Sequence, residues 1–117
     1  MSQFEIGVDI EKVNRFKNKD IKKNKIFLNK IFSKKEIDYC FSKKDASLHL
    51  AGKFAAKEAI VKAFSSINKT NFTYDQIEIL NDHQGIPRAI ISKNDMKIKL
   101  SISHTEEYAI AMVIVHN

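Results

Sequence analysis

The feature that most constrains the fold is a run of small and bulky apolar residues between positions 45 and 64, whose central part reads FAAKEAIVKAF. Its apolar residues recur every three or four positions, which is the period of an amphipathic helix. We predict that residues 45–64 form the longest helix of the chain. Lys57, Glu58 and Lys62 interrupt a helix that is otherwise suited to burial, and their presence requires an explanation.

The second half of the chain has the period of strands. Four short β-prone runs separated by turn signals read DQIEIL, RAIIS, MKIKLSIS and YAIAMVIV. In KIKLSIS, Ile98, Leu100 and Ile102 alternate with Lys and Ser, which predicts a strand with one covered face. The four-residue connection HTEE suits an antiparallel hairpin between the last two runs. Together these patterns predict an α+β fold in which an antiparallel sheet packs against the long helix.

The first residues predict one more strand, because apolar and polar residues alternate in FEIGVDIEKV. We expect its apolar side to face the core and its other side to be acidic. The apolar side consists of Phe4, Ile6, Val8 and Ile10, and the other side of Glu5, Gly7, Asp9 and Glu11.

Two further helical segments are predicted before the longest helix. Residues 13–31 mix apolar and basic positions, and we expect them to be helical. Ser33 followed by Glu36 has the spacing of a capping box, with Phe32 and Ile37 at the spacing of a hydrophobic staple. We therefore predict a helix that begins near Ser33.

Composition limits the classes of function. A chain of 117 residues is long enough for one domain, which we place at 1–117. No apolar run is long enough for a membrane helix and no signal-peptide pattern follows Met1, so we expect a soluble, cytoplasmic protein. The single cysteine, Cys40, excludes an internal disulfide, and we expect it to be buried.

The charge predicts an anionic partner. The chain carries 20 basic and 14 acidic residues, a formal net charge of +6. Much of the excess lies in KNKDIKKNK at 17–25, which is either a solvated segment or a docking surface for an acidic partner.

The charges within the longest helix favour an anion beside a carboxylate. Glu58 lies at the edge of the apolar stripe, so we expect it to be half-buried. A surface pair between Glu58 and Lys62 is the simple alternative. However, Lys53 and Lys57 are also four residues apart, and two like charges at that spacing repel each other unless an anion lies near them.

A carboxylate beside a phosphorylated ligand suggests a divalent cation. Mg²⁺ is commonly held by one or two carboxylates together with phosphate oxygens. Asp9 is the candidate second carboxylate, since it lies on the polar side of the first strand, where Gly7 permits close backbone approach. A turn-capping role is the alternative for Asp9.

Three segments, in this order, also carry a family resemblance: GVDIEKVNRF at 7–16, FAAKEAIVKAF at 54–64 and SISHTEEYAIA at 101–111. They resemble holo-acyl carrier protein synthase, a 4′-phosphopantetheinyl transferase. The resemblance implies transfer of the phosphopantetheine arm of coenzyme A to a serine of apo acyl carrier protein in fatty acid biosynthesis, with Mg²⁺ as cofactor. It also implies a compact α+β protomer of a homotrimer, with active sites at the subunit interfaces.

The resemblance also implies roles for individual residues. Asp9, Glu58 and Lys62 form the implied catalytic set, with Asp9 and Glu58 as the Mg²⁺ ligands and Lys62 against the diphosphate. Glu58, Asp9 and a metal-bound water are the candidate acceptors for the serine proton, and we favour the water. Further contacts with coenzyme A are implied for Lys53, Lys57, Gly85, Pro87, His104 and Thr105.

Three implied roles need comment. His104 is assigned to ligand binding rather than to base catalysis, and a hairpin position is its alternative. Ile86 stands where many relatives have lysine, and Lys53 where arginine is frequent, so one cation is missing and a bidentate contact is replaced by a point charge. Arg15 is implied to contact the acidic carrier protein, and we assign Lys22 and Lys23 to the same surface.

Other functions are less consistent with the sequence. An RNA-binding module is disfavoured because the predicted sheet lacks a pair of aromatic residues for base stacking, so we expect no nucleic-acid partner. A transferase for carrier domains of polyketide or peptide synthetases is an alternative, although such relatives usually hold two halves in one chain. A non-catalytic coenzyme A-binding relative is the other alternative.

Overall fold

The computed structural model describes residues 4–67, 72–92 and 95–117. Helices occupy the first half of the chain after one strand, and the other four strands follow. The elements in chain order are β1 (Phe4–Lys12), a 3-10 turn (Val13–Phe16), α1 (Lys25–Ile31), α2 (Lys34–Phe41), α3 (Ala46–Ser65), a second 3-10 turn (Tyr74–Gln76), β2 (Ile77–Asn81), β3 (Pro87–Ile91), β4 (Lys97–His104) and β5 (Tyr108–His116).

The strands form two antiparallel sheets, with α3 packed across the larger one. The larger sheet has the order β1-β5-β4, and β2 pairs with β3 in a separate ribbon. The prediction of an α+β fold with an antiparallel sheet against a long helix is confirmed, as are the long helix and the last hairpin. The sequence patterns of the second half predict one sheet, whereas the structure divides these strands between two sheets. No helix of the described residues has the length and apolar character needed to cross a lipid bilayer.

Close approach of β1 to α3 determines where the charged residues of both elements meet. Five alanines of α3 are fully buried, and a Cβ atom built on Gly7 would lie only 2.0 Å from the Ala59 carbonyl oxygen. A side chain at position 7 would therefore hold the strand away from the helix. With glycine there, Asp9 lies beside Lys62 of the helix.

The expectation for the faces of β1 was wrong. Phe4, Ile6, Val8 and Ile10 are all more than half exposed, at 61%, 62%, 53% and 60%. The opposite face packs on α3, because Gly7 allows the helix to approach there. The apolar face of β1 continues onto β5, where Ile110 and Met112 lie opposite Ile10 and Val8 in the register. We call this exposed surface of β1 and β5 the apolar sheet face.

The helical prediction for residues 13–31 holds only at the two ends. Asn18 adopts a left-handed backbone conformation (φ 60°), which a helix does not tolerate. Asp20 then accepts hydrogen bonds from the backbone amides of Lys22 and Lys23, at 2.7 and 3.3 Å. This turn chemistry competes with helix formation, so α1 begins only at Lys25.

The helix predicted near Ser33 is confirmed, together with its cap. The Ser33 hydroxyl accepts from the Glu36 amide at 3.2 Å, and the Ser33 amide donates to the Glu36 carboxylate at 2.7 Å. Cys40 in this helix is fully buried, as expected, and burial raises the pKa of its thiol to about 12. The Glu36 carboxylate is also fully buried, which the capping pattern alone did not suggest.

Candidate active site

Two carboxylates on β1 and one on α3 form what we call the carboxylate site: Asp9, Glu11 and Glu58. Asp9 lies in the middle of β1, so the turn-capping alternative is wrong. Its Oδ1 accepts from Lys62 Nζ at 3.0 Å. Its Oδ2 is buried and has no hydrogen-bond partner among the described residues. A buried carboxylate oxygen without a partner is costly, so the position favours a proton or a cation beside this atom.

Glu11 belongs to this site and was not among the predicted site residues. Burial, and then the neighbouring Asp9 carboxylate, raise the pKa of Glu11 to about 7, while the Arg15 guanidinium opposes this shift. Arg15 Nη1 lies 3.5 Å from Glu11 Oε1. The alternation of β1 places positions 9 and 11 on one side, so the same pattern that indicated Asp9 also indicated Glu11.

Glu58 is half-buried, as predicted, and its Oε1 accepts a hydrogen bond from the Tyr74 hydroxyl. Lys62 pairs with Asp9 rather than with Glu58, so the alternative of a Glu58 and Lys62 surface pair is wrong. In the part of the chain that the structure describes, no three carboxylate, imidazole or thiol groups are close enough to hold a metal by themselves. A metal here would need further oxygen ligands from water or from a substrate.

A second site, which we call the cationic pocket, lies further toward the start of α3. Its volume is about 180 Å³, and no acidic residue of the described chain lines it. Lys53 donates to the Ile79 carbonyl and to Asn81 Oδ1, at 2.5 and 2.6 Å, from a side chain that is only 3% exposed. Burial lowers the pKa of Lys53. The polar and loop residues that line the pocket are Tyr39, His49, Lys53, Asn81, Gly85, Pro87 and His104.

His49 is a pocket residue that the sequence did not reveal. Its ring centroid lies 6.1 Å from that of His104 and 5.9 Å from that of Tyr39. Partial burial lowers the pKa of His49, and electrostatic interactions with His104, Lys43 and Lys53 lower it further. A histidine on an apolar helix carries no signal of its own that would separate it from a core residue.

Comparison with known proteins identifies the family. The sequence model of the 4′-phosphopantetheinyl transferase superfamily matches residues 5–113. The chain belongs to this superfamily. The holo-[acyl-carrier-protein] synthase of Chloroherpeton thalassium is 37% identical over 95% of this chain and 96% of the relative. That of Thermodesulfovibrio yellowstonii is 41% identical over 94% and 96%.

A solved structure shows the same fold. A holo-(acyl-carrier-protein) synthase from Bacillus anthracis, in complex with CoA (3′,5′-ADP), matches with a TM-score of 0.79 and 33% identity, covering 97% of this chain and 96% of that one. The family predicted from the three sequence segments is thereby confirmed.

In this phosphopantetheinyl transferase chain, Lys57 does not lie where the resemblance implied. Its side chain is fully buried, and Nζ donates to the Ile31 carbonyl, to Glu36 Oε1 and to the Tyr74 carbonyl, at 2.6, 2.7 and 3.1 Å. These three acceptors use all three ammonium protons. The prediction that Lys57 contacts a ligand is corrected: Lys57 is a structural residue behind the carboxylate site.

Other predicted contacts of this transferase chain lie near the cationic pocket. Gly85, with φ +84°, and Pro87 line it, and Ile86 between them is exposed. Thr105 follows His104 in the hairpin, where its hydroxyl oxygen accepts from the amides of Glu107 and Tyr108, at 3.2 and 3.1 Å. Thr105 therefore shapes the turn after His104.

The three predicted partner contacts lie in two places. Arg15 lies beside the carboxylate site, with its guanidinium carbon 4.9 Å from the centroid of the Phe54 ring. Lys22 and Lys23 are exposed in the turn before α1.

Proposed function

We propose that this chain transfers the 4′-phosphopantetheine group of coenzyme A to a serine hydroxyl of an apo acyl carrier protein in fatty acid biosynthesis, giving holo carrier protein and 3′,5′-ADP. The observation that carries this proposal is the pairing, among the described residues, of a cationic pocket without acidic lining at the start of α3 with a buried carboxylate oxygen that has no hydrogen-bond partner, Asp9 Oδ2 of β1, beside Lys62 of the same helix. Lys53 and Glu58 are five residues apart on α3, or roughly 7.5 Å along its axis.

Mg²⁺ fits the carboxylate site. Asp9 Oδ2 has no hydrogen-bond partner among the described residues, and hard oxygen ligands are what Mg²⁺ prefers. We assign Asp9 and Glu58 as its protein ligands, with phosphate oxygens of the substrate completing the coordination. When bound, Mg²⁺ would neutralise charge on the reacting diphosphate.

The side chains of the protein bind and orient the substrate. Lys62 is exposed beside Asp9, so its ammonium can neutralise phosphate oxygens at the point of transfer. Lys53 and His104 supply cationic or hydrogen-bonding groups for the nucleotide part of coenzyme A, with Gly85 and Pro87 as the wall of the pocket. The volume of 180 Å³ is below the range typical of small-molecule sites, so coenzyme A must extend beyond this pocket.

The acidic carrier protein would dock on Arg15, Lys22 and Lys23. Opposite charges across such a surface mainly raise the rate of association. Replacing Lys22 and Lys23 by Glu should raise the apparent KM for carrier protein several-fold at low salt, and less at high salt, where screening weakens the attraction. Equal effects on the KM for coenzyme A and for carrier protein would contradict the docking role.

We further propose that the functional unit is a homotrimer of single domains spanning residues 1–117. The apolar sheet face supports a subunit interface, because a contiguous apolar patch of this kind is rarely left open to water. Identical subunits would cover one another's patches. Since coenzyme A is the proposed substrate, we place the reaction in the cytoplasm.

The test is the intact mass of an apo acyl carrier protein after incubation with this chain, coenzyme A and Mg²⁺. We expect a gain of one phosphopantetheine, which EDTA abolishes and which a carrier with Ala at the acceptor serine does not show. No gain with folded protein and several acidic carriers would overturn the proposed function.

A further inference from the structure

We propose that Tyr74 is a positioning residue for the Glu58 carboxylate, and that its hydroxyl sets the affinity of the carboxylate site for a divalent cation. This inference rests on the proposed function, in which Glu58 is a metal ligand. Its basis is the hydrogen bond from the Tyr74 hydroxyl to Glu58 Oε1.

Tyr74 is held in place by contacts that do not involve the carboxylate site. Its ring packs edge-to-face against Phe54, with centroids 5.4 Å apart. Its carbonyl accepts from Lys57 Nζ at 3.1 Å. The turn that carries it is capped by Thr73, whose amide donates to Gln76 Oε1 at 3.0 Å. Both the backbone and the ring of Tyr74 are therefore fixed before any ligand binds.

The buried ion pair behind Tyr74 fixes it further. The side chains of Lys57 and Glu36 are both fully buried, and Lys57 Nζ lies 2.7 Å from Glu36 Oε1. Glu36 Oε2 also accepts from the Ile79 amide at 2.7 Å. Lys57 thus joins the Tyr74 backbone to α2 and β2, so the phenol hydroxyl is presented to Glu58 from a rigid base.

The hydrogen bond gives the two oxygens of the Glu58 carboxylate different roles. Oε1 accepts the hydrogen bond from the Tyr74 hydroxyl, and Oε2 remains available to bind a cation. Without the hydroxyl, a flexible glutamate side chain would have to be ordered when the metal binds. Loss of a hydrogen-bond partner behind a metal ligand typically lowers metal affinity by about 10- to 100-fold.

The experiment compares Mn²⁺ binding by the wild-type chain, Tyr74→Phe and Tyr108→Phe, by calorimetry with coenzyme A present. Tyr108→Phe removes the same phenol hydroxyl from an exposed residue of β5. We expect the Kd for Mn²⁺ to rise about 10- to 100-fold in Tyr74→Phe and to stay unchanged in Tyr108→Phe. In transfer assays, Tyr74→Phe should need a higher Mg²⁺ concentration to reach half of its maximal rate. At saturating Mg²⁺, its maximal rate should equal that of the wild-type chain.

The outcomes separate this inference from the proposed function. If the wild-type chain binds no Mn²⁺, the metal site of the proposed function fails. If it binds Mn²⁺ and Tyr74→Phe binds equally well, only the role of Tyr74 is overturned. Thermal melting checks folding, and Tyr74→Leu, which also removes the hydrogen-bond donor, replaces Tyr74→Phe if that variant does not fold.

A double variant tests whether Tyr74 acts through Glu58. In a Glu58→Gln background, Tyr74→Phe should weaken Mn²⁺ binding no further, because the carboxylate that it positions is already gone. A further loss of the same size as in the wild-type background would show that Tyr74 acts by another route, and would overturn the inference.

Discussion

The carboxylate site and the cationic pocket lie about one and a half turns apart on α3, yet they differ in the charged residues that form them. The carboxylate site gathers Asp9, Glu11 and Glu58, and the buried Asp9 Oδ2 has no partner in the part of the chain that the structure describes. The cationic pocket gathers Lys53, His49 and His104 with no acidic residue of the described chain in its lining. The first site holds three carboxylates beside the two cations Lys62 and Arg15, whereas the second is lined by basic groups alone among the charged residues described.

This difference indicates that the two sites have separate roles in binding the ligand. A ligand that carries phosphates can satisfy the pocket directly, while it satisfies the carboxylate site only together with a cation. We therefore expect changes in the carboxylate site to alter the reaction rate and metal affinity. Changes in the cationic pocket should alter nucleotide affinity.

The largest expected effect comes from separating the two elements that form the carboxylate site. Gly7→Ala places a Cβ atom 2.0 Å from the Ala59 carbonyl oxygen, so β1 must move away from α3. We expect a loss of about 3 kcal/mol or more in the free energy of unfolding, with transfer activity lost as well. Thermal and urea unfolding measure this.

Gly52→Ala is the matched control for that prediction. Its Cβ would meet only the Ile102 Cγ2 atom at 3.0 Å, which is the end of a side chain that can shift. The loss of stability should be clearly smaller. Equal losses for the two variants would show that the approach of β1 to α3 at Gly7 is not the critical contact.

Glu58→Gln should have the next largest effect. The amide removes a negative ligand, so at limiting Mg²⁺ we expect the transfer rate to fall by roughly 100-fold or more. The affinity for 3′,5′-ADP without metal should stay unchanged, as calorimetry would show. Full transfer activity at limiting Mg²⁺ would rule out Glu58 as a metal ligand.

Lys53→Met tests the other site. Removing a charge-assisted contact typically costs about 1.5 to 3 kcal/mol, so the Kd for 3′,5′-ADP should rise by roughly 10-fold or more. Mn²⁺ binding without nucleotide should not change. Lys35→Met, which removes an exposed lysine of α2, is the control and should leave nucleotide affinity unchanged.

The smallest expected effect is a pH dependence from His49. Its pKa is lowered in the free protein, and a bound phosphate favours the protonated ring, so binding should raise this pKa. By linkage, 3′,5′-ADP should bind more tightly as the pH falls from about 7.5 to 5.5. NMR titration of the imidazole with and without 3′,5′-ADP measures the shift.

His49→Gln isolates this contribution, since the phosphates themselves also take up protons near pH 6. Between about pH 7.5 and about pH 5.5, we expect the gain in affinity for 3′,5′-ADP to be roughly two- to threefold smaller in this variant than in the wild-type chain. An identical pH dependence in both proteins would mean that the phosphates do not reach His49.

Local and periodic features of the fold were predictable from the sequence. Ser33 and Glu36 lie within one helical turn, so the cap could be seen in four residues. The alternation of β1 correctly placed Phe4 and Ile6 on one side, but it could not show which side another element covers. That choice depends on Gly7 meeting α3, more than fifty residues further along the chain.

The candidate site was predictable only where a residue's role is visible in its own segment. Lys57 carries a charge on a helix, and its partner Glu36 lies 21 residues earlier, so nothing in the segment around Lys57 indicates that the charge is buried. Tyr74 and His49 had no signal at all, because their roles arise from the neighbours that the fold brings to them. Glu11 had a signal, since it shares a side with Asp9.

The pairing of β1 with β5 has a consequence for synthesis on the ribosome. The first described strand has its register partner at the other end of the chain, from Phe4 opposite His116 to Lys12 opposite Tyr108. The strand therefore leaves the ribosome long before its partner exists, with unpaired backbone groups and the exposed side chains Phe4, Ile6 and Val8. Chains interrupted before β5 would present an open strand edge, which makes them prone to aggregation and targets for chaperones.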